Sequence, residues 1–202
     1  MFLTEDKIEG FDKLKKVQLA TSLPGVKATC LVGSIDRKGN QNLSIFSTIT
    51  HFGSSPLLLG MVTRPDTVER HTLSNILETE QWTLSHVTSD ILEAAHQCSA
   101  KYPRTVSEFE ATGLTPFFAE KFIAPAVDES PIKIGLSLDS IIDIPTNGTK
   151  LILGKVEWLS IGDEALKHDG SIDFERSGTL GSTALDTYFQ VSELCRLPYA
   201  KP

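Results

Sequence analysis

Residues 42–62 read NLSIFSTITHFGSSPLLLGMV, and residues 63–76 continue as TRPDTVERHTLSNI. The run opens with Asn42, Ser44, Ser47, Thr48 and Thr50 set among Leu43, Ile45, Phe46 and Ile49, the composition of an extended segment dense in hydroxyls. Residues 57–62 (LLLGMV) are short and continuously apolar, as a buried strand is. Residues 67–78 then place Val68, Leu73, Ile76 and Leu77 on one side and Glu69 and Arg70 off it, which predicts a helix. Arg64, Arg70, His71 and Thr72 gather around the start of that helix. A helix start presents free backbone N–H groups and the positive end of the dipole, and arginine adds forked contacts suited to phosphate. Strand hydroxyls and helix start together suggest a phosphate-bearing planar ligand laid along a hairpin and a helix N-terminus. Taken separately, the first reads equally as an edge strand with solvated Ser and Thr, and the second as a solvated charged helix start.

Working outward, residues 28–35 (ATCLVGSI) predict a strand, and residues 36–40 (DRKGN) carry turn chemistry, so a hairpin leads into the hydroxyl-rich segment. Residues 81–87 alternate like a strand, residues 90–100 predict a second helix, and residues 108–124 read as helical turns and loop. Residues 132–144 and 150–159 form a long hairpin about Asn147-Gly148, a strong turn signal between apolar strands. Residues 163–166 read as a helical turn. At the N-terminus, Thr4 is a candidate cap, and Ile8, Phe11 and Leu14 at spacing three predict one amphipathic helix within residues 1–22. Residues 179–202 read as an irregular tail. About six strands with short helices between them, without regular strand–helix alternation, argue against a doubly wound sheet. They predict a mainly β fold, an antiparallel barrel with helical insertions, in one domain over residues 1–202.

The 202 residues are enough for a hydrophobic core without staples, and the formal net charge of −7 removes the electrostatic footprint of a nucleic-acid binder. Cys30, Cys98 and Cys195 are odd in number and widely spaced, which argues against a disulfide framework or a cysteine zinc site and fits a reducing cytosol. Residues 1–10 carry acids and no apolar run, so neither a signal peptide nor membrane association is expected. The sequence has no GxGxxG after a strand, no phosphate-binding GxxxxGK[ST], no HExxH and no GxSxG. Its five histidines lack metal-ligand spacing, so no metal is expected. Residues 101–104 (KYPR) form a basic and aromatic cluster that reads as a surface loop more readily than as a ligand contact. Trp82 and Trp158 sit in strands, where core packing or an interface is expected.

The pattern of residues 42–62, followed by Arg64 and by residues 70–76 (RHTLSNI), resembles the flavin reductase-like proteins with the FMN-binding split barrel. In that family a hydroxyl-rich strand is followed by an Asp-Pro-Pro turn, an apolar strand and a Lys-Asp-Thr-x-x-Asn-Ile helix start. Residues 107–114 (SEFEATGL), 124–131 (APAVDESP) and 153–156 (LGKV) also resemble family motifs in order and spacing, so the resemblance runs from about Leu23 to Phe189. This chain departs in having Ser54-Ser55-Pro56 at the turn, Arg70-His71 in place of Lys-Asp, and Lys133-Ile134-Gly135-Leu136 where an acidic, cysteine-bearing strand is usual.

The resemblance implies an FMN-binding split β-barrel. The isoalloxazine would lie against Asn42, Ser44, Phe46, Ser47 and Thr48. The phosphate would lie near Arg64, Arg70, His71 and Thr72, with Asn75 of the same helix motif completing the set. It further implies a cytoplasmic homodimer with FMN near the subunit interface, and an NAD(P)H-dependent flavin reductase passing electrons to a small-molecule acceptor or a redox partner protein. No catalytic acid or base is required, because the ring carries the chemistry. A non-enzymatic FMN-binding electron carrier or sensor is the alternative. Pyridoxal-phosphate oxidation would need a second phosphate-binding cluster, and no convincing one is seen.

Overall fold

The computed structural model describes residues 1–65 and 67–201; Asp66 and Pro202 lie outside the described residues. The single N-terminal helix expected from residues 1–22 is two, α1 (Glu5–Glu9) and α2 (Lys13–Ser22). Asp12 causes the break: its side chain accepts from Lys15 N at 2.9 Å and starts a new helix as an N-cap. Strand β1 (Lys27–Ala28) precedes the hairpin of β2 (Cys30–Ile35) and β3 (Gln41–Phe46). Its turn is built by Asp36, whose Oδ1 accepts from Lys38 N and Asn40 N, and by Gly39 at a φ of 89°. The hydroxyl-rich segment is not one strand. It breaks at Ser47-Thr48, and β4 (Ile49–Ser54) pairs with β5 (Leu57–Thr63).

Helix α3 (His71–Thr79) begins four residues later than the periodicity predicts, because Arg70 is extended and forms the N-cap. Then come β6 (Gln81–His86), a 3₁₀ turn at Ser89–Ile91, α4 (Leu92–Gln97) and α5 (Glu108–Thr112). Beyond α5 the expected helical turns give way to a small pair, β7 (Pro116–Phe117) and β8 (Ala126–Val127). The long hairpin is β9 (Ile132–Ile144) and β10 (Thr149–Ile161). The expected irregular tail instead contains β11 (Leu180–Thr183) and β12 (Thr187–Gln190), which make a three-stranded sheet with β1. The strand count of about six is therefore low. Apart from the six-residue β4, the missed strands are two to four residues long, and β11 pairs with a segment some 150 positions earlier, which local periodicity cannot register.

The main sheet has seven antiparallel strands in the order β3-β2-β6-β9-β10-β5-β4. Its two outermost strands, β3 and β4, are consecutive in the chain and joined only by Ser47 and Thr48. So short a link spans roughly 10 Å at most. The sheet must therefore curl until its ends approach, and the result is a barrel split between β3 and β4. Register shifts in the β9–β10 ladder at Leu153/Gly154 and Val156/Trp158 supply the bends. The barrel interior holds Val32, Met61, Trp82, Leu84, Leu136 and Ile152, and α3 closes one end with Leu73 and Ile76. Leu31 and Leu43 face the other way, into a second cluster with Val87, Ala95, Phe109 and Val127 beneath α4 and α5. Strand β2 is thus buried on both faces and reads as a continuous run. Trp82 is wholly buried over Gly154, where a Cβ would lie 2.8 Å from the indole. Trp158 packs over Gly135 with Phe117 and Phe122 around it.

His86 lies buried at the end of β6, its Nδ1 3.3 Å from Thr179 Oγ1 and its ring stacked on Phe174. Burial lowers its pKa from the ordinary 6.5 to about 4. The fold therefore favours the neutral ring. That preference is fully satisfied above pH 6.5 and is lost as pH falls from 6.5 towards 4, about 3 kcal/mol in all. Urea denaturation of the wild type and of His86→Gln at pH 7 and pH 4 should show the wild type losing about 3 kcal/mol more than the variant. Parallel losses would place the acid sensitivity elsewhere.

Candidate functional site

The ten residues singled out in the sequence fall along β3, at its exit, and around the start of α3. Asn42, Ser44 and Phe46 share one face of β3, as alternation requires. Phe46 is half-buried and packs against the barrel core. The Ser44 and Ser47 side chains make no hydrogen bond among the described residues. Thr48 sits in the two-residue link and is already engaged: its Oγ1 donates to Val62 O at 2.9 Å and accepts from Val62 N at 3.2 Å, carrying the β4–β5 ladder one position beyond Ile49. Thr48 is thus tied to β5 rather than a free donor. Arg64, just beyond, is exposed, with no hydrogen bond or ion pair among the described residues.

Asn42, Thr72 and Asn75 are brought into one buried network. Asn42 Nδ2 donates to Thr72 Oγ1 at 2.9 Å and approaches Ser34 Oγ at 3.4 Å, and Asn75 Nδ2 donates to Ser34 Oγ at 3.2 Å. The Thr72 hydroxyl therefore accepts from Asn42, and among the described residues its own proton has no acceptor. Helix α3 receives no side-chain cap at Arg70. Arg70 Nε donates to Pro65 O at 3.3 Å, and its two terminal nitrogens have no partner among the described residues. A hydroxyl proton, the first backbone donors of an uncapped helix and two arginines thus form a donor set for an anion. The free serines of β3 and its exit add donors suited to a polar ring edge. The residues present fit a phosphate-bearing planar cofactor.

His71 joins Asn42, Asn75, Arg104, Val106 and Glu108 around one small cleft. Three of these, Arg104, Val106 and Glu108, were not read as site residues. Arg104 belongs to the loop before α5 and contacts Asp36, Glu69, Ser74 and Asn75. Burial alone would raise the Asp36 carboxyl, but hydrogen bonds from Asn40, Lys38 and Arg104 outweigh it and hold the pKa below the usual range. Glu108 is buried at the start of α5, and its Oε2 accepts from Leu43 N at 2.9 Å on the open edge of β3. Desolvation raises its pKa, against the opposing pull of that N–H and of nearby His71. The motif around residues 107–114 pointed to Glu108, but nothing local marked its partner 65 positions away.

Among the described residues no group of His, Cys, Asp and Glu is arranged to hold a metal, and no helix is long and apolar enough to cross a membrane.

An antiparallel barrel split between consecutive strands, with an uncapped helix start beside the split, is the architecture of a class of cofactor-binding barrels. The chain belongs to the flavin reductase-like family: residues 26–177 match the flavin reductase like domain. It is similar over its whole length to a Shewanella frigidimarina NCIMB 400 protein provisionally described as a flavin reductase with a split barrel domain. The two are 40% identical, the match covers 99% of this chain and 100% of the other, and the TM-score is 0.95. The fold is also that of nitrilotriacetate monooxygenase component B from Bacillus cereus, at 20% identity, TM-score 0.85 and 98% coverage of each chain. Flavoredoxin of Desulfovibrio vulgaris (Miyazaki F) shares it at 21% identity and TM-score 0.77, covering 99% of this chain and 98% of that one.

Glu108 gives a direct test of how the strand half of the site is held. Glu108→Ala strands Leu43 N–H in a buried place and should cost about 1–3 kcal/mol in urea denaturation. Glu108→Gln keeps an acceptor without a buried charge and should retain most of that stability. Because the Glu108 pKa is raised, the wild type should lose ground to Glu108→Gln as pH rises through it. Equal losses for both variants would show that the hydrogen bond to Leu43 is not what Glu108 contributes.

Proposed function

We propose that the protein binds FMN and works as an NAD(P)H-dependent flavin oxidoreductase. The observation that carries this reading is the donor set at the start of α3: an uncapped helix, the Thr72 hydroxyl with an unused proton, and the free ends of Arg64 and Arg70. It is suited to a phosphomonoester, and it lies at the end of a strand whose serines are free to meet a polar ring edge. When bound, the flavin supplies the hydride and electron chemistry. The chain's own residues bind and orient it. Arg70, Arg64 and Thr72 hold the phosphate, Ser44 and Ser47 meet the ring's polar edge, and Phe46 gives it an apolar wall. Asn42 acts through Thr72, and Asn75 through Ser34. No side chain has to move a proton for hydride to pass from nicotinamide to flavin.

The same reading makes the protein a cytoplasmic homodimer. The outermost strand β4 exposes Phe52, Leu57 at the start of β5 is also exposed, and the cleft in one chain is too shallow to enclose a tricyclic ring. Three unpaired thiols suit a reducing compartment.

Purified protein titrated with FMN should develop a perturbed flavin absorption spectrum that bleaches on addition of NADH or NADPH. Binding without bleaching would favour an electron carrier or sensor over a reductase, and absence of binding would sink the proposal. Arg70→Ala should weaken FMN binding by about 1–3 kcal/mol, the range for a lost charge-assisted hydrogen bond. Unchanged affinity would remove Arg70 from the phosphate site.

A further inference from the structure

Arg104 sits at the cleft, yet all three nitrogens of its guanidinium are engaged by protein acceptors, in four hydrogen bonds and two ion pairs. Nε donates to Glu69 Oε1 at 3.0 Å, and NH1 donates to Asn75 Oδ1 at 3.0 Å and to Asp36 Oδ2 at 3.3 Å. NH2 donates to Ser74 Oγ at 2.5 Å and lies 2.9 Å from Glu69 Oε1. A guanidinium engaged at every nitrogen is committed to the protein rather than to a ligand. What it does instead is join three segments: the β2–β3 turn through Asp36, the approach to α3 through Glu69, and α3 itself through Ser74 and Asn75.

The contact with Asn75 leads further. Asn75 passes a hydrogen bond to Ser34, Ser34 is shared with Asn42, and Asn42 donates to Thr72. Asn75, Ser34, Asn42 and Thr72 are all buried, with exposures of 1%, 0%, 5% and 6%, so the chain of hydrogen bonds is dry. In a dry network each bond is strengthened, and each misplacement is felt by the next. The far end is the hydroxyl whose proton is free to meet an anion.

We propose that Arg104 is a positioning residue for the phosphate of the bound flavin mononucleotide. It holds Asn75 and the first turns of α3 so that Thr72 aims its O–H at the phosphate, and it does not touch the cofactor. This rests on the FMN reading above. It predicts a signature that a merely structural arginine would not give: loss of affinity confined to the phosphorylated ligand.

The test measures dissociation constants for FMN and for riboflavin, which has the same ring and no phosphate, by flavin fluorescence quenching. Wild type, Arg104→Gln and Arg104→Lys are compared. Arg104→Gln should bind FMN about tenfold more weakly, the effect of one charge-assisted hydrogen bond lost or misdirected, and riboflavin within about twofold of wild type. Arg104→Lys should recover part of the loss. If Arg104→Gln does not fold, Asp36→Asn, which loosens Arg104 from one partner and leaves its bonds to Ser74 and Asn75 in place, should show the same pattern on a smaller scale. Equal weakening of both ligands, or unchanged FMN affinity, overturns the positioning role. Equal wild-type affinity for FMN and riboflavin also overturns it while leaving a ring site standing. Failure of the wild type to bind either flavin would be a failure of the proposed function itself, and the proposal about Arg104 falls with it.

Discussion

Ser47 and Thr48 connect strands that stand at opposite ends of a seven-stranded sheet. A link this short forces the sheet round on itself, and most of the architecture follows from that requirement. The closed interior demands apolar side chains from every strand, which β2, β6 and β9 supply. One end must be stoppered, and α3 does it with Leu73 and Ile76. The ladder is left unpaired between β3 and β4, and Thr48 in the link is tied to Val62 of β5. An unpaired edge inside a folded domain is a liability unless something else uses its donors. Here Glu108 takes Leu43 N–H, and the serines beyond are the donors proposed to meet a ligand.

How much of this could be read in the sequence depended on how local the signal was. The hairpin turning at Asn147-Gly148 was legible almost to its ends, because turn chemistry and strand composition are both written in consecutive residues. The break at Ser47-Thr48 was not: a strand that leaves one end of a sheet and re-enters at the other looks, in one dimension, like a single extended run. Strands β11 and β12 were missed because β11 finds its partner at β1, across most of the chain. The same reasoning divides the candidate site. The helix start flagged Thr72, the family resemblance added Asn42 and Asn75, and the structure joins those three. Arg104 sits in a loop whose composition suggested a solvated surface. Its partners at positions 36, 69, 74 and 75 come together only in the folded chain.

The electrostatics of the site make sense of its departure from the usual family motif. Where the family places an acid after the helix-start lysine, this chain has His71 after Arg70. An anion site loses nothing by exchanging a carboxylate for an imidazole, which repels no phosphate and can supply a donor. The acids that do lie nearby are occupied. Asp36 is bound by Asn40, Lys38 and Arg104, and Glu69 is paired with Arg104 and lies 4.0 Å from His71 Nε2. In a protein of net charge −7, drawing both carboxylates onto one guanidinium keeps their field away from the helix start.

Arg104 and Glu108 are four residues apart, and each grips a different half of the site. Glu108 holds strand β3 through Leu43 N–H, on the side proposed for the ring. Arg104 holds helix α3 through Ser74 and Asn75, on the side proposed for the phosphate. Among the described residues the side-chain hydrogen bonds that link strand and helix run through buried amides and hydroxyls, of which Asn42 to Thr72 is the direct bridge. A ligand that spans both halves needs them at a fixed separation, because misplacement at either end is charged against the whole molecule. Anchoring both to one short segment, which is itself fixed by Phe109 in the second core cluster, couples that separation to hydrophobic packing rather than to a mobile loop. The segment around α5 contributes little to closing the barrel, and its charged residues are best understood as the fastening that keeps the two halves of the cleft in register.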